Sequence, residues 1–297
     1  MLTDRSPLPA RLLGYLDERF PPGPYTVLVA LFFGSAVLVA RDLAGASTLP
    51  APEAWLGAAV VWLVFFHLRI FDEHKDHADD AVAHPERLLS RGVVTLTLLA
   101  RLAGAAILVQ LVLSAIIGPA ALIAWAATLA FTVLMRFEFG VGGWLGRHLI
   151  VYAVTHNPVV GLLAVYGWAC AGVPFHTSMI AYITAASLGS LAFELGRKIN
   201  LPEEEIDGVD SYSSVLGRGR AGALLAVTLL ASAAAASASV LLVAEGWGRL
   251  VGMALVLIGL VAGLAGARSG KRAKSVELGS SVALLASLLA MGLAALG

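Results

Sequence analysis

The sequence predicts an all-α integral membrane protein with about nine transmembrane helices of about 20 residues each. Two observations carry this prediction. The mean hydropathy is +0.85, with 59% of residues hydrophobic and only 13% charged. The apolar residues form long runs without charge, and the 297 residues suffice for nine such runs plus short loops. A soluble domain is excluded by this composition.

The chain divides into an amphipathic cytoplasmic lead-in, residues 1–24, and a single membrane domain, residues 25–297. Runs rich in Ala and Gly inside the spans, such as residues 231–238, indicate helices that pack closely in lipid. The predicted spans lie near residues 25–43, 51–71, 93–115, 118–136, 148–170, 177–199, 220–244, 248–266 and 276–296.

The basic residues predict how these spans are oriented. If the N-terminus is cytoplasmic, all but Arg41, Arg101 and Arg249 of the 20 Lys and Arg residues fall on the cytoplasmic side. Such an asymmetry over short loops follows the positive-inside rule and supports an odd number of spans. We therefore expect a multi-pass protein of the cell membrane with its C-terminus outside.

An acidic stretch follows the second span, within residues 66–92. Asp72 and Asp76 are four residues apart, so a helix continuing through them would place both carboxylates on one face. Two oxygen ligands so placed suit a magnesium ion that also binds a diphosphate, because magnesium takes one or two protein carboxylates and completes its shell with water and phosphate oxygens. A solvated acidic loop is the alternative interpretation.

A second charged stretch follows the sixth span on the same side, within residues 194–219. Glu194 and Lys198 are four residues apart and could form a helical ion pair. Glu194 nevertheless lies about one turn inside the span, where a carboxylate is costly unless it lines a polar cavity or has a partner. We therefore favour a cavity position for Glu194.

These two stretches resemble the two signatures of the UbiA superfamily of membrane prenyltransferases. Asp72 and Asp76, followed by Arg87 and Gly92, are similar to the first signature, although Leu68-Arg69 stands where the family usually has Asn-Asp. The acidic loop that runs through Asp207 into Gly208-Val-Asp-Ser-Tyr and Leu216-Gly217 resembles the second. Where the family usually has a pair of aspartates four residues apart, this chain has either Asn200 and Glu204 or Glu194 and Lys198. The resemblance covers nearly the whole chain and implies a bundle around a central cavity, open to the cytoplasmic side and to lipid.

The resemblance also implies Mg²⁺ as cofactor and an isoprenyl diphosphate as substrate. Magnesium would be held by Asp72, Asp76, Glu194 and Glu204. Arg87, Arg197 and Lys198 would bind the remaining phosphate oxygens, arginine through its bidentate fork. The prenyl group would pass to a lipophilic acceptor within membrane lipid, and an aromatic compound is one candidate for that acceptor.

A third polar group lies in the fifth span. His148, Tyr152 and His156 recur every four residues, and Pro158 should kink the helix after them. Polar side chains at this depth usually face the bundle interior, either as packing contacts or as functional groups. As a functional interpretation, Tyr152 or His156 positions the acceptor or takes its proton.

Three classes of function remain open. The first is prenyl transfer to an acceptor, and the second is intramembrane cyclisation of a prenyl diphosphate without an acceptor, as by a terpene synthase. The third is a transporter, which is disfavoured because the acids collect on one face of the membrane and no repeat with broken helices is visible. Nucleic acid is not an expected partner, since the basic residues are scattered among membrane loops.

Overall fold

A computed structural model describes residues 2–46, 50–205, 210–268 and 273–296. The described chain is helical and contains no strand. Its α-helices are α1 (Leu8–Arg19), α2 (Pro22–Leu43), α3 (Leu56–Lys75), α4 (His77–Ala83), α5 (Leu96–Ile117), α6 (Pro119–Arg136), α7 (Gly142–Leu145), α8 (Leu149–His156), α9 (Pro158–Cys170), α10 (Met179–Arg197), α11 (Tyr212–Leu216), α12 (Arg218–Val243), α13 (Gly246–Arg268) and α14 (Ala273–Ala294).

The prediction of an all-α membrane protein is confirmed. Nine segments of the described chain are long and apolar enough to cross a membrane. They are α2, Pro52–Lys75, α5, α6, Leu149–Cys170, α10, α12, α13 and α14. The second span runs to Lys75, about one turn beyond its predicted end, so Asp72 lies within α3. The fifth span consists of α8 and α9, which meet at Pro158 as its sequence predicts.

Contacts between neighbouring helices close a ring. In order, α2, α3, α5, α6, α9, α10 and α14 each pack against the next, and α14 returns to α2. Helices α12 and α13 pack against α14, and α12 also against α10. Helices α2 and α10 also meet across the ring. There the buried Tyr182 hydroxyl of α10 donates a 2.6 Å hydrogen bond to the Phe32 carbonyl oxygen of α2.

Small residues and a buried polar network set the helix positions. Helices α13 and α14 touch at Gly266 and Gly279, where a Cβ atom on either residue would lie within 3.1 Å of the other helix's backbone. At the other side of the ring, Gln110 donates to His67 Nδ1 at 3.0 Å and accepts from Trp125 Nε1 at 3.1 Å. These bonds join α3, α5 and α6, and so fix where the end of α3 lies.

The lead-in contains an ordered helix that packs on the rest of the chain. Tyr15 of α1 is buried in an apolar cluster with Ile70 and Leu88. Arg11 Nε donates a 2.6 Å hydrogen bond to the Val93 carbonyl oxygen. The Glu18 carboxylate accepts from the Leu88 backbone N–H at 3.2 Å. Helix α1 therefore holds the segment between α4 and α5 beside the end of α3.

Candidate active site

The end of α3 carries two carboxylates around one lysine. Asp72 lies in the last turn of the helix, and the backbone N–H of Asp76 donates to its carbonyl oxygen at 2.8 Å. Lys75 Nζ lies 3.6 Å from Asp72 Oδ1 and 3.8 Å from Asp76 Oδ1. Both aspartate side chains are about half exposed, at 51% and 50%, whereas the lysine is only 15% exposed. The carboxylates therefore stay open to a ligand while the ammonium is enclosed.

Glu138 brings a third carboxylate to the same lysine. Its Oε1 atom lies 3.9 Å from Lys75 Nζ. Glu138 and Phe139 both have left-handed backbone, with φ of 47° and 55°. Such a conformation costs about 1 to 3 kcal/mol for a residue other than glycine and is concentrated at functional sites. We call Asp72, Lys75, Asp76 and Glu138 the open cluster; it holds three carboxylates and one ammonium.

Tyr152 and His156 of α8 complete this side of the site. Lys75 Nζ donates to the Tyr152 hydroxyl and also lies 5.0 Å from the centre of its ring. The Tyr152 and His156 rings stack with centroids 4.0 Å apart. His148 lies just before α8 and stacks on Trp144 instead. The structure thus brings Tyr152 and His156 together with Asp72 and Asp76.

The protonation of His156 follows from its hydrogen bonds. His156 Nδ1 lies 2.8 Å from the Tyr152 carbonyl oxygen, which can only accept, so Nδ1 carries the proton. Nε2 then has a free lone pair, and this buried atom has no hydrogen-bond partner among the described residues. A buried acceptor without a partner is costly, which points to a donor supplied by a ligand.

The end of α10 faces the open cluster with the opposite charge. Glu194 binds Arg197 Nη2 at 2.7 Å and Lys198 Nζ at 3.0 Å, so the three side chains carry one net positive charge. The charges of Arg197 and Asp72 act on each other across the space between α10 and α3. Tyr212 lies beside this group, and burial raises the pKa of its hydroxyl, which has no hydrogen-bond partner in the described chain.

Two of the predicted site residues are engaged elsewhere. Arg87 Nη1 lies 2.6 Å from Asp80 Oδ2, and Asp80 also binds Arg19. Glu204 Oε2 accepts from the backbone N–H groups of Leu201 at 3.1 Å and Ala273 at 2.9 Å, and so ties its loop to the start of α14. Asp207 lies outside the described residues. The binding roles of Arg87 and Glu204 stay predictions.

The donor set of the open cluster fits one magnesium ion, and the metal-binding roles of Glu194 and Glu204 stay predictions. Asp72 and Asp76 supply two half-exposed carboxylates one helical turn apart, which suffices for a magnesium ion shared with a diphosphate. Across the described residues, no three His, Cys, Asp or Glu side chains gather as a metal cage. Glu194 is held by two cationic side chains and Glu204 by two backbone N–H groups.

Sequence reasoning did not assign Lys75, Glu138 or Tyr212 to the site. Lys75 stands between the two aspartates in sequence, and Glu138 follows α6 directly, but neither position by itself indicates a shared contact. Only the packing of α3 against α6 and α8 brings them together.

Comparison with solved structures identifies the fold. The chain is similar to the apo structure of a UbiA homologue from Aeropyrum pernix K1, at 19% identity and a TM-score of 0.71 over 91% of this chain and 96% of that one. It is also similar to a structure described as digeranylgeranylglyceryl phosphate synthase, at 14% identity and a TM-score of 0.64 over 96% of this chain and 98% of that one. No family model and no curated protein matches the sequence. The chain therefore has the fold of UbiA-type membrane proteins.

Proposed function

We propose that the protein is a UbiA-superfamily membrane prenyltransferase that ionises an isoprenyl diphosphate with the help of Mg²⁺ and transfers the prenyl group to a lipophilic acceptor. The observation that carries this proposal is the pairing of two oppositely charged helix ends. The open cluster on α3 has an excess of carboxylates, and Glu194, Arg197 and Lys198 on α10 have an excess of positive charge. A magnesium diphosphate needs both kinds of partner. The two structures of similar fold, a UbiA homologue and a synthase, agree with this assignment.

When bound, magnesium would neutralise the negative charge that develops on the leaving diphosphate. Asp72 and Asp76 would hold the ion. Arg197, whose charge acts on Asp72 across the space between α10 and α3, would bind phosphate oxygens from the opposite side through its guanidinium fork. Lys198 lies next to it on the same side. These fixed charges stabilise the leaving group without reorganisation, which is the main source of catalysis in such a step.

His156 is suited to take the proton that the acceptor loses. Its Nε2 atom has a free lone pair and no partner within the described chain. Stacking on Tyr152 and the edge contact with Phe139, with ring centroids 5.5 Å apart, fix the imidazole plane. A neutral imidazole fixed in this way can accept a proton near neutral pH.

The prenyl chain has an aromatic surface beside the site. Tyr25 and Trp62 are partly exposed, and the fully buried Phe20 holds both rings in place, since it stacks on Tyr25 at 3.9 Å and meets Trp62 edge-on at 4.8 Å. Tyr25 is in turn under the influence of the Arg197 and Asp72 charges, so this aromatic group adjoins the charged site. Aromatic faces stabilise a nearby carbocation. This surface also suits the alternative reaction, cyclisation of a prenyl diphosphate without an acceptor.

One assay tests both reactions. Purified protein is incubated with Mg²⁺ and prenyl diphosphates of several chain lengths, with and without a mixture of lipophilic aromatic and glyceryl acceptors. We expect diphosphate release and a prenylated product only when an acceptor is present. Release with a hydrocarbon or alcohol product in the absence of an acceptor would instead establish the cyclase. No release under any condition would refute both.

The cytoplasmic position of the site is part of the proposal. The distribution of the basic residues supports an orientation with the N-terminus and both charged stretches inside the cell and the C-terminus outside. Reporter tags at the N-terminus, in the loop that contains Asp207 and after Gly297 should give cytoplasm, cytoplasm and outside. A cytoplasmic C-terminus would contradict this orientation.

A further inference from the structure

Lys75 occupies an unusual place for a lysine beside two metal-binding carboxylates. Its ammonium lies between 3.6 and 3.9 Å from an oxygen of Asp72, of Asp76 and of Glu138. Among the described residues, the Tyr152 hydroxyl alone lies within hydrogen-bonding distance and accepts from it. The ammonium is therefore shared among three carboxylates at a similar distance from each, and the tyrosine holds it there.

This position is one that a second divalent cation would otherwise take. A magnesium ion that binds a carboxylate of this cluster lies about 2.0 to 2.1 Å from the carboxylate oxygen. A second such ion among Asp72, Asp76 and Glu138 would come within a few ångströms of the Lys75 ammonium, where like charges repel strongly. With Lys75 in place, three carboxylates and one ammonium leave two negative charges, which one divalent ion neutralises.

In the described part of the α10 side, the two glutamates that were predicted as metal ligands, Glu194 and Glu204, already have partners. Arg197 and Lys198 both bind Glu194, so a cation there would have to displace two existing cations. Glu204 has one carboxylate oxygen bound to the Leu201 and Ala273 N–H groups. These contacts make the α10 side a receptor for anionic oxygens.

We propose that Lys75 is a built-in cation that takes the place of a second metal ion, so that the site binds one divalent ion per diphosphate. The inference rests on the proposed function and deepens it. Asp72 and Asp76 hold the single ion, Lys75 balances part of the carboxylate charge from the α3 side, and Arg197 contacts a diphosphate oxygen from α10. Tyr152 positions the Lys75 ammonium through its hydroxyl.

The test is the stoichiometry of metal binding, which does not depend on turnover. Mn²⁺ replaces Mg²⁺ as an observable probe, and bound and free Mn²⁺ are measured by electron paramagnetic resonance with and without inorganic diphosphate. We expect one Mn²⁺ per protein chain in the presence of diphosphate. Two ions per chain in the wild-type protein would overturn the proposal.

Three variants make the test specific. Lys75→Met removes the charge but keeps the length of the side chain, so a second Mn²⁺ should bind with diphosphate, and Mn²⁺ without diphosphate should bind about tenfold more tightly. Lys75→Arg keeps the charge and should retain a stoichiometry of one. Lys274→Met, an exposed lysine of α14 away from the cluster, is the matched control and should behave as wild type.

The outcomes separate this inference from the proposed function. Unchanged Mn²⁺ binding in a folded Lys75→Met protein, as judged by its thermal unfolding midpoint, would refute the role of Lys75 even if prenyl transfer is observed. One Mn²⁺ with diphosphate in wild type and two in Lys75→Met would support the role of Lys75 even if no prenyl diphosphate is turned over.

Discussion

Two charged clusters meet on α3, and they differ in how their charges are balanced. The open cluster has three carboxylates for one ammonium, and its aspartates are half exposed. On another face of the same helix lies a closed cluster, which consists of Arg19, Arg69, Glu73, Asp80 and Arg87. There Glu73 is only 2% exposed and binds Arg19 at 2.7 Å and Arg69 at 2.8 Å.

The difference shows how to separate a ligand site from a structural ion-pair network. Each carboxylate of the closed cluster has two arginine partners, so no carboxylate charge remains for a bound cation, and the network joins α1, α3 and α4. The open cluster has one ammonium for three carboxylates, and a group of uncompensated carboxylates is costly unless a cation binds. Residues 69 and 73 and residues 72 and 76 have the same spacing of four, so spacing alone does not distinguish the two clusters.

The largest expected effect comes from removing a carboxylate of the open cluster. Asp72→Ala or Asp76→Ala should lower turnover about 100-fold or more, because each removes a ligand of the ion that meets the leaving group. The thermal unfolding midpoint should hardly change, since both side chains are half exposed. Asp17→Ala, at an exposed position of α1, is the control. Turnover within a few-fold of wild type in both variants would show that the two aspartates belong to a solvated loop and do not bind the metal ion.

The second largest expected effect is a loss of stability when the closed cluster loses a carboxylate. Glu73→Gln leaves Arg19 and Arg69 without their shared carboxylate and should cost about 2 to 3 kcal/mol of stability, somewhat less than removing one partner of a fully buried pair because both arginines can reach water. We expect a lower thermal unfolding midpoint in detergent and unchanged turnover per folded molecule. Glu203→Gln, an exposed glutamate, is the control. Lost turnover at full stability would place Glu73 in the active site.

A third prediction concerns pH. Burial raises the pKa of Asp76 to about 6, and the negative charge of Asp72 adds to the rise. Asp76 is therefore ionised and able to bind a cation above about pH 6, and Mn²⁺ affinity should fall about tenfold per pH unit below it.

The same pKa shift predicts the stability of the metal-free protein. Because the folded state binds the proton more tightly than the unfolded chain, stability should fall as pH rises from 3.8 to about 6. Asp76→Asn should remove both dependences. A pH-independent Mn²⁺ affinity between pH 5 and 7 would contradict this account.

The smallest effects are expected at the two acids on the α10 side. Glu194→Gln should leave the magnesium titration of turnover unshifted and lower stability by about 0.5 to 1 kcal/mol, because its ion pairs are partly exposed. Glu204→Gln weakens the contact with Ala273 and is the matched variant, with a loss of at most about 1 kcal/mol. A higher magnesium requirement in either variant would support the predicted role of that glutamate as a metal ligand.

The sequence by itself determined the membrane class, the order of the spans and the two stretches that meet at the site. Hydropathy is a local property, and in lipid a run of about 20 apolar residues has almost no choice but to form a helix, which satisfies its own backbone hydrogen bonds. The break at Pro158 and the end of α3 near Asp76 follow in the same local way. The resemblance to the UbiA superfamily rested on these stretches, and the fold of the solved structures agrees with it.

Only the tertiary structure decided which charges are partners. Asp80 is paired with Arg19, and Glu204 with the start of α14, because residues distant in sequence meet there. Lys75 joins Asp72 and Asp76 to Glu138 and Tyr152 only when α3, α6 and α8 are packed together. A charged side chain reaches several ångströms in any direction, so its partner is set by the approach of helices that local patterns do not encode.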